Sequence, residues 1–234
     1  MKILLTGGSG FIGRPLTKLI DSKLIDITVI GRSRPKAYDG NFIEADLLSI
    51  SEAEISNIMG EIRATHLVHL AWYADHGDFW EAEENLRWIE RTGLLVKKFC
   101  ESGGSNVLVT GSCAEYSWTG AHYLSEESQC VPSSLYGVSK KLTQQLVAHI
   151  CNEAKVEWSW CRIFFPYGPY EDERKLVPSL KSIAGNFSDP FVINNPGSRD
   201  FLHVDDVAEA IITIILRRAN GVINVCSGIS CDLQ

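Results

Sequence analysis

No apolar run in the chain approaches the ~20 residues that a membrane-spanning helix needs. No secretory leader is expected from the start, Met1-Lys2-Ile3-Leu4-Leu5-Thr6-Gly7, which reads as too short and too quickly glycine-rich for one. The seven cysteines, Cys100, Cys113, Cys130, Cys151, Cys161, Cys226 and Cys231, form no Cys-x-x-Cys pair and no even framework. Without a leader, they read as reduced thiols in a cytoplasm. The six histidines contain no His-Glu-x-x-His pattern. His66 and His69 flank a strand and read as structural, so no metal is expected. Excess positive charge is also absent. The net charge of -7, from 22 basic and 29 acidic residues, argues against a nucleic-acid or anionic-membrane partner. An anionic ligand must then be held by local arginines and backbone amides. What is present is a chain of 234 residues, 45% hydrophobic and 22% charged, which can bury a sizeable core and excludes disorder.

Short β-branched runs alternate with longer helical patterns from the first residue, the signature of βαβ units on a parallel sheet. Strands are expected at Lys2–Thr6, Asp26–Ile30, Asn41–Glu44, His66–Leu70, Asn106–Thr110 and Trp158–Phe164. Helices are expected at Gly10–Asp21, Phe79–Cys100 and Ser134–Cys151, the last with Leu135, Val138, Leu142 and Leu146 on one face. After Pro166-Tyr167-Gly168-Pro169 the rhythm changes. There a helix is expected at Leu176–Ala184, a strand at Phe191–Ile193, a helix at Asp205–Arg217 and a last strand at Gly221–Val225. The fold class is α/β, a doubly wound parallel sheet with a small C-terminal lobe.

Gly8-Ser9-Gly10-Phe11-Ile12-Gly13 fits Gly-x-Gly-x-x-Gly, and Gly7, Gly10 and Gly13 fit Gly-x-x-Gly-x-x-Gly. The run lies between the first strand and first helix, where glycines let the backbone approach a pyrophosphate and a helix N-terminus supplies amides and dipole. An NAD binder usually ends its second strand in an acid that bonds the ribose hydroxyls. Here the end reads Val29-Ile30-Gly31-Arg32-Ser33-Arg34. A guanidinium there can hold a 2′-phosphate bidentately, which favours NADP(H) over NAD(H); a solvated loop charge is the plainer reading of Arg32. Asp46 and Leu47 are placed to meet the adenine edge.

Tyr136 and Lys140 are four apart, on one helical face. An ammonium beside a phenol favours the phenolate and is expected to lower its pKa, fitting the tyrosine for proton exchange with a carbonyl or hydroxyl oxygen. Ser112, just past the fifth strand in Thr110-Gly111-Ser112-Cys113-Ala114-Glu115-Tyr116, shares the carboxyl edge of the sheet with the glycine-rich turn.

With these positions in this order, the chain resembles the extended short-chain dehydrogenase/reductase family, the nucleotide-sugar epimerases, dehydratases and reductases, from Met1 to about Gly228. The resemblance implies Ser112, Tyr136 and Lys140 as the catalytic triad. It implies cofactor contacts from Gly7, Gly10, Phe11, Ile12, Gly13, Arg32, Asp46, Leu47, Leu70 and Ala71, with Tyr136 and Lys140 beside them. Asn85 matches a family asparagine. Arg162-Ile163-Phe164-Phe165-Pro166-Tyr167-Gly168-Pro169 is similar to the family's Arg-x-x-Asn-Val-Tyr-Gly-Pro, with Phe165 and Pro166 in place of Asn-Val. Arg199, in a late motif running to Asp206, is implied to contact the diphosphate of a nucleotide-sugar substrate. Trp72, Ser112 and Cys113 are the other expected substrate contacts.

The family's 4,6-dehydratases carry Asp-Glu directly after the strand-five hydroxyl residue. Cys113 and Ala114 stand there, which disfavours elimination chemistry; Glu115 is one place too late and reads as structural. Cys113 has no histidine partner that would make it a nucleophile. Trp72, Tyr73 and Trp118 are candidates to wall a pocket; Trp80, Trp88, Trp158 and Trp160 are assigned to packing. Residues 1–165 are expected to form the dinucleotide-binding domain, to which the strand and helix near 200–226 return. Residues 166–234 supply the substrate lobe, and the stop at Gln234 reads as a reduced or truncated lobe. The expected function is NADPH-dependent reduction of a 4-keto-6-deoxy nucleotide sugar, similar to that of the family's 4-reductases, by a homodimer. The alternatives are a nucleotide-sugar 4-epimerase and a catalytically silent NADP(H)-binding protein.

Overall fold

The computed structural model describes residues 1–23, 25–118, 123–184 and 197–233. The strands are β1 (Lys2–Thr6), β2 (Asp26–Gly31), β3 (Asn41–Glu44), β4 (His66–His69), β5 (Asn106–Ser112), β6 (Glu157–Ile163), β7 (Phe165–Tyr167), β8 (Gly197–His203), β9 (Gly221–Val225) and β10 (Ser230–Leu233). The helices are α1 (Gly13–Ser22), α2 (Glu52–Ile62), α3 (Glu84–Glu101), α4 (Leu135–Ala154), α5 (Leu176–Ala184) and α6 (Val204–Arg217). A seven-stranded sheet runs β3-β2-β1-β4-β5-β6-β9, every neighbouring pair parallel. This is the doubly wound Rossmann order, and its direction of growth reverses at β1 and β4, where such sheets open a ligand crevice.

Both faces of the sheet are covered, which is why its strands are near-continuously apolar. Ile3, Leu5, Val29, Val68, Leu108 and Cys161 pack with α1 and α6. The alternating residues Leu4, Leu67, Val107, Val109 and Trp160 pack with α2, α3 and α4. A second sheet, β10-β8-β7, pairs β7 parallel and β10 antiparallel to β8. Among the described residues no helix is long and apolar enough to cross a membrane.

Several expectations need correcting. The helix expected from Gly10 starts at Gly13, because Gly10 to Ile12 form the turn before it. The helix expected from Phe79 starts at Glu84, and the preceding residues form a separate turn. Helix α2 and strands β7, β8 and β10 were not expected. On α4 the stripe of Val138 and Leu142 is exposed, while Gly137, Ser139, Lys140, Thr143, Val147 and Cys151 are buried. The strand expected at Phe191–Ile193 lies outside the described residues.

The turn from β1 to α1 is tightly built. Gly7 has φ +74°, and a Cβ on it would lie 2.7 Å from the amide nitrogen of Ala71 after β4. A Cβ on Gly13 would run into the carbonyl oxygen of Gly7. Gly13→Ala must therefore push α1 off the end of β1. It is expected to cost about 1–3 kcal/mol in urea unfolding; parental stability would show that the turn has room to give.

Candidate active site

The carboxyl ends of β1, β4 and β5 share one edge. There β5 ends on Ser112, whose extended backbone opens a single 3-10 turn, Cys113–Glu115. The Ser112 hydroxyl oxygen accepts the Ala114 N–H at 3.2 Å, and the Glu115 carboxylate accepts the Ser112 N–H at 2.8 Å. Helix α4 starts with a similar device, Ser134 Oγ accepting the Gly137 N–H at 3.1 Å. A Cβ on Gly137 would run into the Ala114 carbonyl oxygen. Glycine at that point lets the first turn of α4, which carries Tyr136, close on the turn after β5, which opens at Ser112.

Lys140, one helical turn on, is buried. Its ammonium donates to the Thr110 carbonyl at 2.8 Å, lies 3.8 Å from the centre of a Trp72 ring and stands 5.8 Å from that of Tyr136. Burial pushes its pKa down to about 7, with the charge of Glu115 working against that shift. The phenol of Tyr136 is pushed above its ordinary value by burial, opposed by the nearby Ser112 hydroxyl and reinforced by Cys113 and Glu115. The expected lowering by the ammonium is thus not what this arrangement gives. Desolvation outweighs it, and the phenol stays protonated at neutral pH. His69 behind the site sits between the Thr6 and Thr92 hydroxyls, at 2.7 and 3.0 Å, and burial brings its pKa down to about 3, so the ring is neutral and structural.

Tyr136 is boxed by aromatics. Phe79, Trp80 and Trp72 present their rings edge-on at 4.9, 5.8 and 6.5 Å. Trp80, assigned to packing, packs on Phe79 at 4.5 Å and faces Tyr136 while staying 45% exposed, and the Tyr136 N–H donates to its carbonyl at 2.9 Å. Trp88 and Trp160 are buried, as assigned. Asn85 organises the box. It accepts the Trp72 indole N–H at 2.8 Å and donates to the carbonyls of Phe79 and Ala82 at 2.7 and 2.9 Å. Nothing in the spacing of Phe79 and Trp80 signalled this, because the helix expected there would have turned them elsewhere.

The glycine-rich turn fits a dinucleotide. Its glycines leave no side chain over the loop, and no side chain caps the first turn of α1. Ser33 at the end of β2 donates to Ser9 of this turn at 3.3 Å, bringing Arg32 beside it. Arg32 is exposed and makes no hydrogen bond or ion pair among the described residues, whereas Arg34 is engaged by the Gly40 carbonyl at 2.7 Å and the Phe42 ring. Asp46 is exposed and accepts the Leu48 N–H at 3.0 Å; the Leu47 side chain is buried in the core, leaving only its backbone for a ligand. Leu70 and Ala71 line the end of β4, the Leu70 N–H donating to the Thr6 carbonyl at 3.2 Å. Residues after β7 reach over the same turn: the Arg14 guanidinium lies 4.8 Å from the Tyr170 ring and the Lys175 ammonium 5.4 Å from that of Phe11.

On the side of the second sheet, Arg199 on β8 lies 5.4 Å from the Phe165 ring, and Trp118 stands edge-on to Phe165 at 5.8 Å while donating to the Cys113 carbonyl at 3.1 Å. The Cys113 thiol is buried and pushed up to about 12 by that burial. It is an inert small wall residue.

A family model described as the NAD dependent epimerase/dehydratase family matches residues 3–226. A dTDP-6-deoxy-L-talose 4-dehydrogenase (NAD(+)) from Aggregatibacter actinomycetemcomitans is 23% identical over 236 aligned residues, 97% of this chain and 85% of that protein. A solved UDP-N-acetylglucosamine 4-epimerase from Methanobrevibacter ruminantium, in complex with UDP-N-acetylmuramic acid, gives a TM-score of 0.86 at 24% identity, over 99% of this chain and 78% of the other. The Bordetella bronchiseptica enzyme WbmG in complex with NAD gives 0.83 at 23%, over 99% and 74%. At these identities the structural likeness establishes the fold.

Between about pH 7 and the ordinary lysine value of 10.5, the unfolded chain binds a proton at Lys140 that the folded chain does not. Stability from this group therefore rises with pH across that window, and the burial penalty is complete below it. Lys140→Met is expected to raise the melting temperature of the ligand-free protein near neutral pH by roughly 2–4 °C per kcal/mol recovered, with the gain shrinking toward the alkaline end. A difference that does not change with pH would mean the buried ammonium carries no such penalty.

Proposed function

The chain belongs to the NAD-dependent epimerase/dehydratase family, enzymes of the extended short-chain dehydrogenase/reductase type, and from that premise we propose that it reduces the 4-keto group of a 4-keto-6-deoxy nucleotide sugar with NADPH. The observation that carries this reading is the gathering of Ser112, Tyr136 and Lys140 at the carboxyl edge, where α4 closes on the turn after β5 and the Lys140 ammonium stands 5.8 Å from the Tyr136 ring, with Cys113 and Ala114 where dehydratases have acids. A similar protein is a 4-dehydrogenase of a 6-deoxy nucleotide sugar, which supports chemistry at the same carbon.

In this reading Gly7, Gly10 and Gly13 with the start of α1 hold the pyrophosphate, and Arg32 holds the 2′-phosphate that distinguishes NADPH. When bound, NADPH supplies the hydride to the carbonyl carbon. Tyr136 donates its phenolic proton to the developing alkoxide, and Ser112 donates a hydrogen bond to the same oxygen. Lys140 contacts the nicotinamide ribose and offsets the charge on Tyr136 once its proton has left. Arg199 takes the diphosphate of the substrate, and Trp72 closes one side of the pocket. Val138 and Leu142, exposed one turn apart on α4, suit pairing with a second copy of the chain.

A 4-epimerase is the second reading, favoured by the reach of Tyr170 and Lys175 over the glycine-rich turn and by the Arg174–Asp75 ion pair at 3.0 Å. Such a clasp slows cofactor release, which suits an enzyme that keeps its nicotinamide through two half-reactions.

Incubation with NADPH and a panel of 4-keto-6-deoxy nucleotide sugars is expected to give stoichiometric loss of NADPH absorbance. Tyr136→Phe should lower turnover by about 10²–10⁴-fold while leaving NADPH affinity intact. Arg32→Ala should erode the preference for NADPH over NADH. Interconversion of C4 epimers without net nicotinamide consumption would replace the reductase with the epimerase.

A further inference from the structure

Glu115 takes no part in the reaction proposed above, yet its side chain is fully buried. Burying a carboxylate is costly unless its lone pairs are used, and an apolar residue would serve plain packing better. Three donors converge on it. The Ser112 N–H reaches Oε1 at 2.8 Å, the Trp160 indole N–H reaches Oε1 at 2.9 Å and Oε2 at 3.1 Å, and Arg162 Nε reaches Oε2 at 2.9 Å. Arg162 is itself held, its guanidinium 4.4 Å from the Tyr116 ring and donating to the Glu126 carbonyl at 3.4 Å. A Cβ on Gly111 would run into both the Trp160 indole nitrogen and the Glu115 carboxylate. The glycine before the serine therefore makes room for the acid.

We propose that Glu115 is a positioning residue which, anchored by Arg162 and Trp160, fixes Ser112 so that its hydroxyl is a donor toward the reacting oxygen. Ser112 Oγ already accepts the Ala114 N–H at 3.2 Å, which leaves its own proton for donation. The carboxylate closes the cap from the other side by taking the Ser112 N–H, and so fixes the backbone that carries the hydroxyl. It also supports the proton on Lys140. The groups facing that ammonium are Glu115 from the turn after β5, neutral His69 and the ring of Trp72 from β4 and its following loop, the Thr110 carbonyl of β5, and Tyr136 of its own helix.

The kinetic arm of the test rests on the reduction proposed above; the exchange arm does not. Glu115→Asp keeps the charge and withdraws its reach. It is expected to lower kcat by about 10²-fold, the cost of a misplaced group near 1 Å, with KM for NADPH unchanged. Amide hydrogen exchange at Ser112 in the ligand-free protein should speed up about tenfold. Glu115→Gln keeps the reach and removes the charge, and the pH at which turnover falls as Lys140 loses its proton should move down. Should Glu115→Asp not fold, Gly111→Ala displaces the carboxylate from Ser112 with Glu115 intact and carries the same exchange test. Folded variants with parental kcat, pH profile and Ser112 protection would overturn the proposal. If no nucleotide sugar is reduced by the parent protein, unchanged Ser112 protection in Glu115→Asp overturns it alone, and lost protection supports it.

Discussion

The carboxylate of Glu115 sits out of solvent between the ends of β5 and β6, and the place of Ser112 relative to Tyr136 follows from how that charge is held. Arg162 supplies the countercharge from β6, and Trp160 of the same strand supplies a second donor. Strand β6 is registered against β5 with Gly111 opposite Arg162 and Ser112 opposite Ile163. A slip of one residue would turn Trp160 and Arg162 to the opposite face and leave the carboxylate unpaired. The ion pair thus specifies a geometry more than it adds net stability. The glycine contacts on either side, Gly111 with Trp160 and Gly137 with Ala114, let α4 pack tightly on the turn that opens at Ser112.

The chemistry at this edge is set by dryness. Burial raises the phenol and lowers the ammonium, so each group is pushed toward its neutral form. Simple pairing of a lysine with a tyrosine one turn away would have moved the phenol the other way. The ammonium spends its interactions on the Thr110 carbonyl and the Trp72 ring. A phenol kept protonated is the form a general acid requires, and the nearby cation matters once that proton has gone.

Much of the scaffold was legible because parallel strands buried on both faces announce themselves as apolar runs, and because Gly7 and Gly13 stand where sterics leave no alternative, with Gly10 in a tight spot between them. That Ser112, Tyr136 and Lys140 would come together was legible because strand ends in such a sheet share an edge. Helix α2 was missed although its start is written plainly: Ser51 and Glu54 form a reciprocal capping box before Ile55, Met59 and Ile62. Strands β7, β8 and β10 were missed for a better reason: β7 and β10 are short, and all three are largely half-exposed and paired across distant segments. The apolar stripe on α4 misled because Gly137, Ser139, Lys140 and Thr143, small or polar, are the face turned to the protein. Trp80 and Glu115, read as packing and structural, have surroundings that were not legible in detail, for one common cause. Their roles depend on loop paths and buried charge, which periodicity does not encode.

The central claim is that this edge delivers a hydride from an exchangeable cofactor to a sugar carbonyl, with Tyr136 completing the alcohol. The most direct test uses NADPH carrying deuterium at its transferable position, with a 4-keto-6-deoxy nucleotide sugar as acceptor and mass and NMR analysis of the product. The account predicts one deuterium per product, at C4, in a single configuration. A product formed without deuterium, from a protein that leaves the labelled NADPH unconsumed, would contradict it.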